Sequence, residues 1–123
     1  MIFSVNDETS KLVSVIIGIA NSSGGVPNIE NLYDPKSIEN LKKGKYPLEL
    51  DMINELENLS NTLKRHGVNV HRPKNIINCN QIFARDIGFV IDNYFFKSNI
   101  LPKRSKEFQG IEYILNDFNG KII

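Results

Sequence analysis

Apolar and polar positions follow three different rhythms along this chain, and each rhythm predicts a different element. Residues 12–17, Leu-Val-Ser-Val-Ile-Ile, form a nearly unbroken apolar run rich in β-branched side chains. Such a run predicts a strand covered on both faces. Between 47 and 66 the period becomes helical, with Leu48, Met52, Leu56, Leu59 and Leu63 on one stripe. Pro47 suits the first helical position. Glu49 and Asp51 sit at the positive end of that helix, and Lys64, Arg65 and His66 at the negative end. Gly67 is the expected left-handed cap. Val68-Asn69-Val70-His71 then alternates as a strand, which Pro73 stops. Residues 87–91 and 94–98 predict two strands joined by a tight turn at Asp92-Asn93. From about 103 to 118 the helical period returns, with Phe108, Ile111, Leu115 and Phe118 on one stripe and Ile114 flanking it. Asn119-Gly120 ends that helix, and Lys121-Ile122-Ile123 opens a further strand.

Two stretches carry no period. Residues 20–46 hold Asn21-Ser22-Ser23-Gly24-Gly25 and the turn opener Asp34-Pro35, with a short helical turn expected over 37–43. A connection this long is a functional lid or a disordered segment. The basic cluster Lys42-Lys43-Gly44-Lys45 reads as a solvated loop, because it lacks the strand-loop-helix setting of a phosphate cradle. Residues 75–81 are a polar connection. The element order amounts to about two ββαβ modules. It predicts a single α/β domain with mixed sheets and two main helices, a first module over 1–72 and a second over 73–123. No sequence repeat relates the two. Because the last strand is barely begun, the second module is expected to be truncated, and the chain to be the N-terminal part of a longer protein or one half of a split one. Open flanks predict self-association or pairing with the missing C-terminal portion.

Composition narrows the function classes. The 123 residues are 41% hydrophobic and 24% charged, which is ordinary for one globular domain. A net charge of +1 gives no electrostatic case for nucleic acid or an anionic membrane. Residues 12–20 are too short to span a bilayer. The lone cysteine, Cys79, excludes an intramolecular disulfide and points to a reducing, cytoplasmic compartment. No His, Cys, Asp and Glu spacing suggests a metal site, and no cofactor is expected.

Chemistry is concentrated in the run Asn80-Gln81-Ile82-Phe83-Ala84-Arg85-Asp86 and in Leu101-Pro102-Lys103-Arg104-Ser105-Lys106-Glu107, on either side of the hairpin. A strand that buries a face rarely starts with a carboxylate. Here an acid opens one strand and an arginine opens the helix after the next, so one can grip a cation and the other an anion. That combination suits a small zwitterion with a guanidinium tail. A carboxylate meets a planar guanidinium in a two-point fork. The bland alternatives are an Asp86 that caps or pairs with Arg85, and an Arg104 that pairs with Glu107 three residues on.

The motif Phe83-x-Arg85-Asp86, the apolar hairpin behind it and Pro102-x-Arg104-x-x-Glu107 together resemble the guanidino-group-modifying enzymes: amidinotransferases, arginine deiminases and dimethylargininases. The strand at 12–17 and the helix-strand unit at 47–72 extend the resemblance over most of the chain. It implies a pentein fold, a five-bladed propeller of ββαβ modules. It implies that Asp86 contacts the substrate guanidino group and Arg104 the substrate carboxylate, with Phe83, Arg85 and Glu107 in support. The family's cysteine nucleophile and its histidine acid-base partner come later in family chains, so no catalytic residue is expected here and the chain alone should be inactive. Cys79 lies where the family places no nucleophile and reads as an incidental thiol, and His66 and His71 read as structural. The expected function is the N-terminal segment of an amidinotransferase-like enzyme acting on arginine or a related guanidino compound. The alternative is a non-catalytic split subunit or pseudoenzyme that binds a guanidino ligand or a partner chain.

Overall fold

The computed structural model describes residues 3–123, so residues 1–2 of the first expected module lie outside the described residues. Eight regular elements follow in the order β1 (Ser14–Ile16), α1 (Pro35–Lys42), α2 (Glu49–Arg65), β2 (Asn69–His71), β3 (Gly88–Ile91), β4 (Tyr94–Lys97), α3 (Glu107–Asn116) and β5 (Lys121–Ile122), with single 3-10 turns at Ile29–Asn31, Ala84–Asp86 and Pro102–Arg104. They build two small sheets. In the first, β1 and β2 run parallel with Val15 opposite Val70, and the crossover between them carries α1 and α2. In the second, β3 and β4 form an antiparallel hairpin with Phe89 opposite Phe96, and β5 returns parallel to β4 after α3. Hairpin, helix and parallel strand make this second half a ββαβ unit. The described residues thus form a small α/β structure with three helices and mixed sheets. The third helix is α1, longer than the turn expected over 37–43: Pro35 starts it, and the Asp34 carboxylate accepts the Ser37 N–H at 2.7 Å.

The core of the second half is Ile87, Phe95, Ile111, Ile114, Leu115 and Phe118, and Ile16 from β1 packs against it. The helical stripe read from 108 to 118 is therefore the buried one. Yet α3 starts only at Glu107, because Pro102–Arg104 first takes a separate 3-10 turn. Phe118 lies just past its end.

Three expectations change in detail. The strand at 12–17 is not covered on both faces: Leu12 and Val13 are exposed, and the buried stretch is Ile17 to Ala20. A two-stranded sheet can cover little of β1, whereas residues 17–20 run on beneath the 79–82 segment, with Ile19 N–H donating to the Gln81 carbonyl at 3.0 Å. Pro47 is not the first helical residue; Leu48 is the N-cap and Glu49 begins α2. The stripe of α2 is also rotated. Leu48 and Leu59 face solvent, Met52, Leu56 and Leu63 are half-buried, and the only fully buried side chain is Ser60, small enough to let the helix approach closely. The other end of α2 is as read. Gly67 has φ +78, its N–H donates to Lys64 and the Val68 N–H to Leu63, the two bonds of a Schellman cap.

A strap of chain outside the regular elements joins the halves: Val5 and Asp92 exchange both backbone hydrogen bonds, at 3.1 and 2.8 Å. No helix of the described residues is long and apolar enough to cross a membrane.

Candidate functional site

Between the two halves lies a cleft of about 960 Å³. Residues 78–80, 82 and 83 line it, and the polar connection to which they belong is held by Gln81. The Gln81 side chain is buried; its Nε2 donates to the Lys74 carbonyl and its Oε1 accepts the Ile76 N–H, both at 2.9 Å. A buried amide that uses both ends this way folds the loop back on itself. Gly18 lies against the same segment so tightly that a Cβ there would come within less than 3.0 Å of the carbonyl oxygens of Gln81 and Ile82. Nothing in the pattern of the 80–86 run singles Gln81 out for this role.

Asp86 does not open a strand. It closes the 3-10 turn Ala84–Asp86, and β3 begins two residues later. That turn is made by the Phe83 carbonyl, which accepts the Asp86 N–H at 3.0 Å. Asp86 then stands on the cleft wall with its carboxylate half-exposed. Its Oδ2 accepts from Arg104 Nη1 at 3.0 Å, and Oδ1 lies 3.5 Å from Arg85 Nε. The second contact is loose, since the Arg85 side chain is 86% exposed. Phe83 is half-exposed on the same wall.

Arg104 sits in the 3-10 turn ahead of α3, not at the start of the helix, and only 15% of its side chain is exposed. Its Nε and Nη2 donate to the two oxygens of Glu107 at 2.8 and 3.0 Å, and Nη2 also donates to the Phe83 carbonyl at 3.4 Å. The Glu107 hydrogen bonds, with help from Asp86 and against the effect of burial, hold the guanidinium firmly protonated and push its pKa upward. Glu107 itself is buried, its side chain 5% exposed. The pairing of Arg104 with Glu107 and of Asp86 with Arg85 are both present, so the bland readings describe real contacts. The structure brings Phe83, Arg85, Asp86, Arg104 and Glu107 into one constellation on one wall.

Opposite that wall the long 20–46 connection contributes Asn28, Asn31 and Tyr33, and Asp34 from the α1 cap. It is fastened at its base, where the Ser23 N–H donates to Glu49 at 3.0 Å and Asn75 Nδ2 to the Ser22 hydroxyl at 3.0 Å. From the sequence this stretch is expected to be a lid or a disordered segment, and no residue of it is singled out for the site. Cys79 also borders the cleft, yet it is buried, and burial together with the negative charge of Glu107 pushes its thiol pKa up. A thiol held in its neutral form is a poor nucleophile. His71 lies in β2, edge-on to Phe3 with ring centroids 5.4 Å apart, and does not border the cleft. Among the described residues no group of three or more His, Cys, Asp or Glu could hold a metal ion.

No protein-family model matches the sequence, and no curated protein does either. The backbone does find counterparts among solved structures. SxtG, an amidinotransferase from Microseira wollei in the saxitoxin biosynthetic pathway, matches 97% of this chain with TM-score 0.66 and 20% identity. The chain has the fold of part of an amidinotransferase. The inosamine-phosphate amidinotransferase StrB1 from Streptomyces griseus matches 97% of it with TM-score 0.67 and 18% identity. The chain spans only 40% and 41% of the lengths of those two amidinotransferases. Amidinotransferases are among the enzymes that the Phe83-to-Asp86 and Arg104-to-Glu107 motifs resemble, and the fold of the backbone agrees with that resemblance.

Proposed function

We propose that this chain is the N-terminal segment of an amidinotransferase-like enzyme and forms its guanidinium-binding wall. The two halves are the first blades of a pentein propeller, 1–72 and 73–123, and the ββαβ order of the second half supports that reading. The substrate is arginine or a related guanidino compound. In such a reaction a cysteine thiolate, supplied from outside these residues, attacks the guanidino carbon. The carbon–nitrogen bond to the donor amine breaks as a histidine protonates the leaving nitrogen. The amidino group then passes to an acceptor amine and the thiol is restored. Asp86 holds the planar cation in place for that attack. Neither Cys79, with its raised pKa, nor His71, away from the cleft, fits the nucleophile or its partner.

The observation that carries the proposal is the half-exposed Asp86 carboxylate on a cleft wall, with one oxygen anchored to Arg104 and the other touched only by a loose Arg85. An incoming guanidinium can displace Arg85 and meet Oδ1. NMR titration of the 123-residue chain with L-arginine tests this, with urea as the uncharged planar control. Arginine should perturb residues 83–86 and 104 and urea should not. Asp86→Asn should abolish the effect and keep the fold, since an amide oxygen can still accept from Arg104 and Glu107 still neutralises that cation. Equal responses to arginine and urea, or an unaffected Asn variant, would refute the assignment.

A second reading, a non-catalytic subunit that binds a partner chain, draws on a different observation. On the outer face of β3–β4, Phe89 and Phe96 stack with ring centroids 5.2 Å apart, and Phe89 and Ile91 are exposed. Aromatic surface of this kind favours self-association or pairing. Sedimentation velocity should show concentration-dependent dimers that Phe89→Lys abolishes. A monomer at every concentration counts against this reading.

A further inference from the structure

We propose that Arg104 does not bind the substrate carboxylate but is a positioning residue, which orients Asp86 and is itself held by the buried Glu107. The inference rests on the reading of Asp86 as a guanidinium acceptor, and it reassigns the role that the family resemblance gives to Arg104.

A guanidinium binds a carboxylate through one of two edges, each presenting a parallel pair of N–H groups. In Arg104 both edges are occupied. The Nε and Nη2 edge faces Glu107, with bonds of 2.8 and 3.0 Å. On the other edge Nη1 donates to Asp86 at 3.0 Å and Nη2 to the Phe83 carbonyl at 3.4 Å. Of five donors, only one Nη1 hydrogen is left, and one hydrogen cannot make the two-point contact that a substrate carboxylate takes. Nor can the side chain turn outward. Glu107 is nearly solvent-free, and withdrawal of its cation would strand a buried negative charge, which is strongly unfavourable.

The same arrangement explains how an arginine can touch Asp86 without cancelling it. Glu107 already neutralises Arg104, so the three-residue cluster keeps one net negative charge. That charge resides on the half-exposed member, Asp86, and Oδ2 is the pinned oxygen while Oδ1 carries only the loose Arg85 contact. The turn at Ala84–Asp86 is fixed at the same time, because Arg104 also takes up the carbonyl of Phe83. One side chain thus sets both the backbone and the carboxylate of the acceptor.

The test compares L-arginine with its decarboxylated analogue agmatine, by NMR titration of the full 123-residue chain. If Arg104 acts through Asp86, Arg104→Gln should weaken both ligands by the same factor, about tenfold or more. If it binds the carboxylate, only arginine should weaken, and that result overturns the proposal. Glu107→Gln frees an edge of Arg104: a tighter grip on arginine alone would also overturn it, whereas weaker binding of both ligands supports it. Arg104→Lys keeps a cation beside Glu107 and covers the case in which the Gln variant fails to fold. A ligand-free readout decides the point even if wild type binds neither compound, a result that would refute the guanidinium reading itself. Side-chain couplings should give Asp86 a single χ1 rotamer in the wild type and an average in Arg104→Lys. A single rotamer in both would refute the positioning role.

Discussion

Replacing Gly18 by Ala adds one methyl group, and the structure indicates where the cost arises. The new Cβ would lie within less than 3.0 Å of two backbone carbonyl oxygens, those of Gln81 and Ile82. Backbone cannot rotate aside as a long side chain does, so one of two segments has to move. Residues 17–19 are tied by the Ile17 N–H to the His71 carbonyl and by the Ile19 N–H to Gln81, both at 3.0 Å, while Arg72 Nη2 donates to the Gly18 carbonyl at 3.1 Å. Separating the segments gives up the Ile19 bond, worth about 1 kcal/mol, and weakens the charged Arg72 bond, worth about 1.5–3 kcal/mol. Overpacking elsewhere costs a similar amount. A loss of about 2–4 kcal/mol follows, a large share of the roughly 5–15 kcal/mol that holds a domain together. Urea unfolding followed by circular dichroism measures it, and the midpoint should fall while the slope stays constant. Gly67→Ala is the control. It has φ +78 but open space around it, so only the left-handed conformation is penalised, by about 1–2 kcal/mol. If Gly18→Ala unfolds at the wild-type midpoint, or costs less than Gly67→Ala, the close approach of the two segments is not what the structure indicates.

Two pH effects should accompany it. Burial lowers the pKa of His71 below the ordinary 6.5, so the unfolded chain takes up a proton that the folded chain resists, and stability should decline as the pH falls through about 6.5. Urea midpoints at pH 7 and pH 5 measure this, and His71→Phe should flatten the difference; an equal slope in that variant removes His71 as the cause. Cys79 acts at the other end of the scale. Its thiol pKa is raised in the fold, so the folded chain keeps a proton that the unfolded chain releases, and stability should fall as the pH rises above the ordinary thiol value near 9. The same thiol should react with an aromatic disulfide reagent far more slowly in the folded chain than in urea, and equal rates would contradict its burial.

Much of the fold was legible because local chemistry and tertiary packing agree. The hairpin at Asp92-Asn93, the left-handed cap at Gly67 and the stripe of Phe108, Ile111, Leu115 and Phe118, with Ile114 beside it, are all set by residues close in sequence. Where long-range packing decides, the pattern misled. Leu59 has the right period but faces solvent, because a small residue, Ser60, is what the close approach of α2 requires. Leu12 and Val13 look like a buried strand but lie beyond the cover that a two-stranded sheet can provide. At the candidate site the motifs named five residues that the chain does bring together. What no motif could disclose is which donors of Arg104 are already used. That depends on Glu107 being buried, and burial is a property of the assembled wall. The role of Gln81 was hidden for the same reason, since a polar side chain in a polar loop carries no sign of being covered.

The bond pair between Val5 and Asp92 has a consequence for how the molecule is made. A ribosome delivers Val5 long before Asp92 exists, so the opening strap has nothing to hold during most of translation. The β1–β2 pairing has to wait in the same way, because Ser14 meets Asn69 only after the whole crossover has been synthesised. The hairpin and α3, whose partners are near neighbours, can assemble within a short window of synthesis. Residues 3–20 should therefore be the last to settle on a nascent chain and the first to fall to a protease when synthesis stalls.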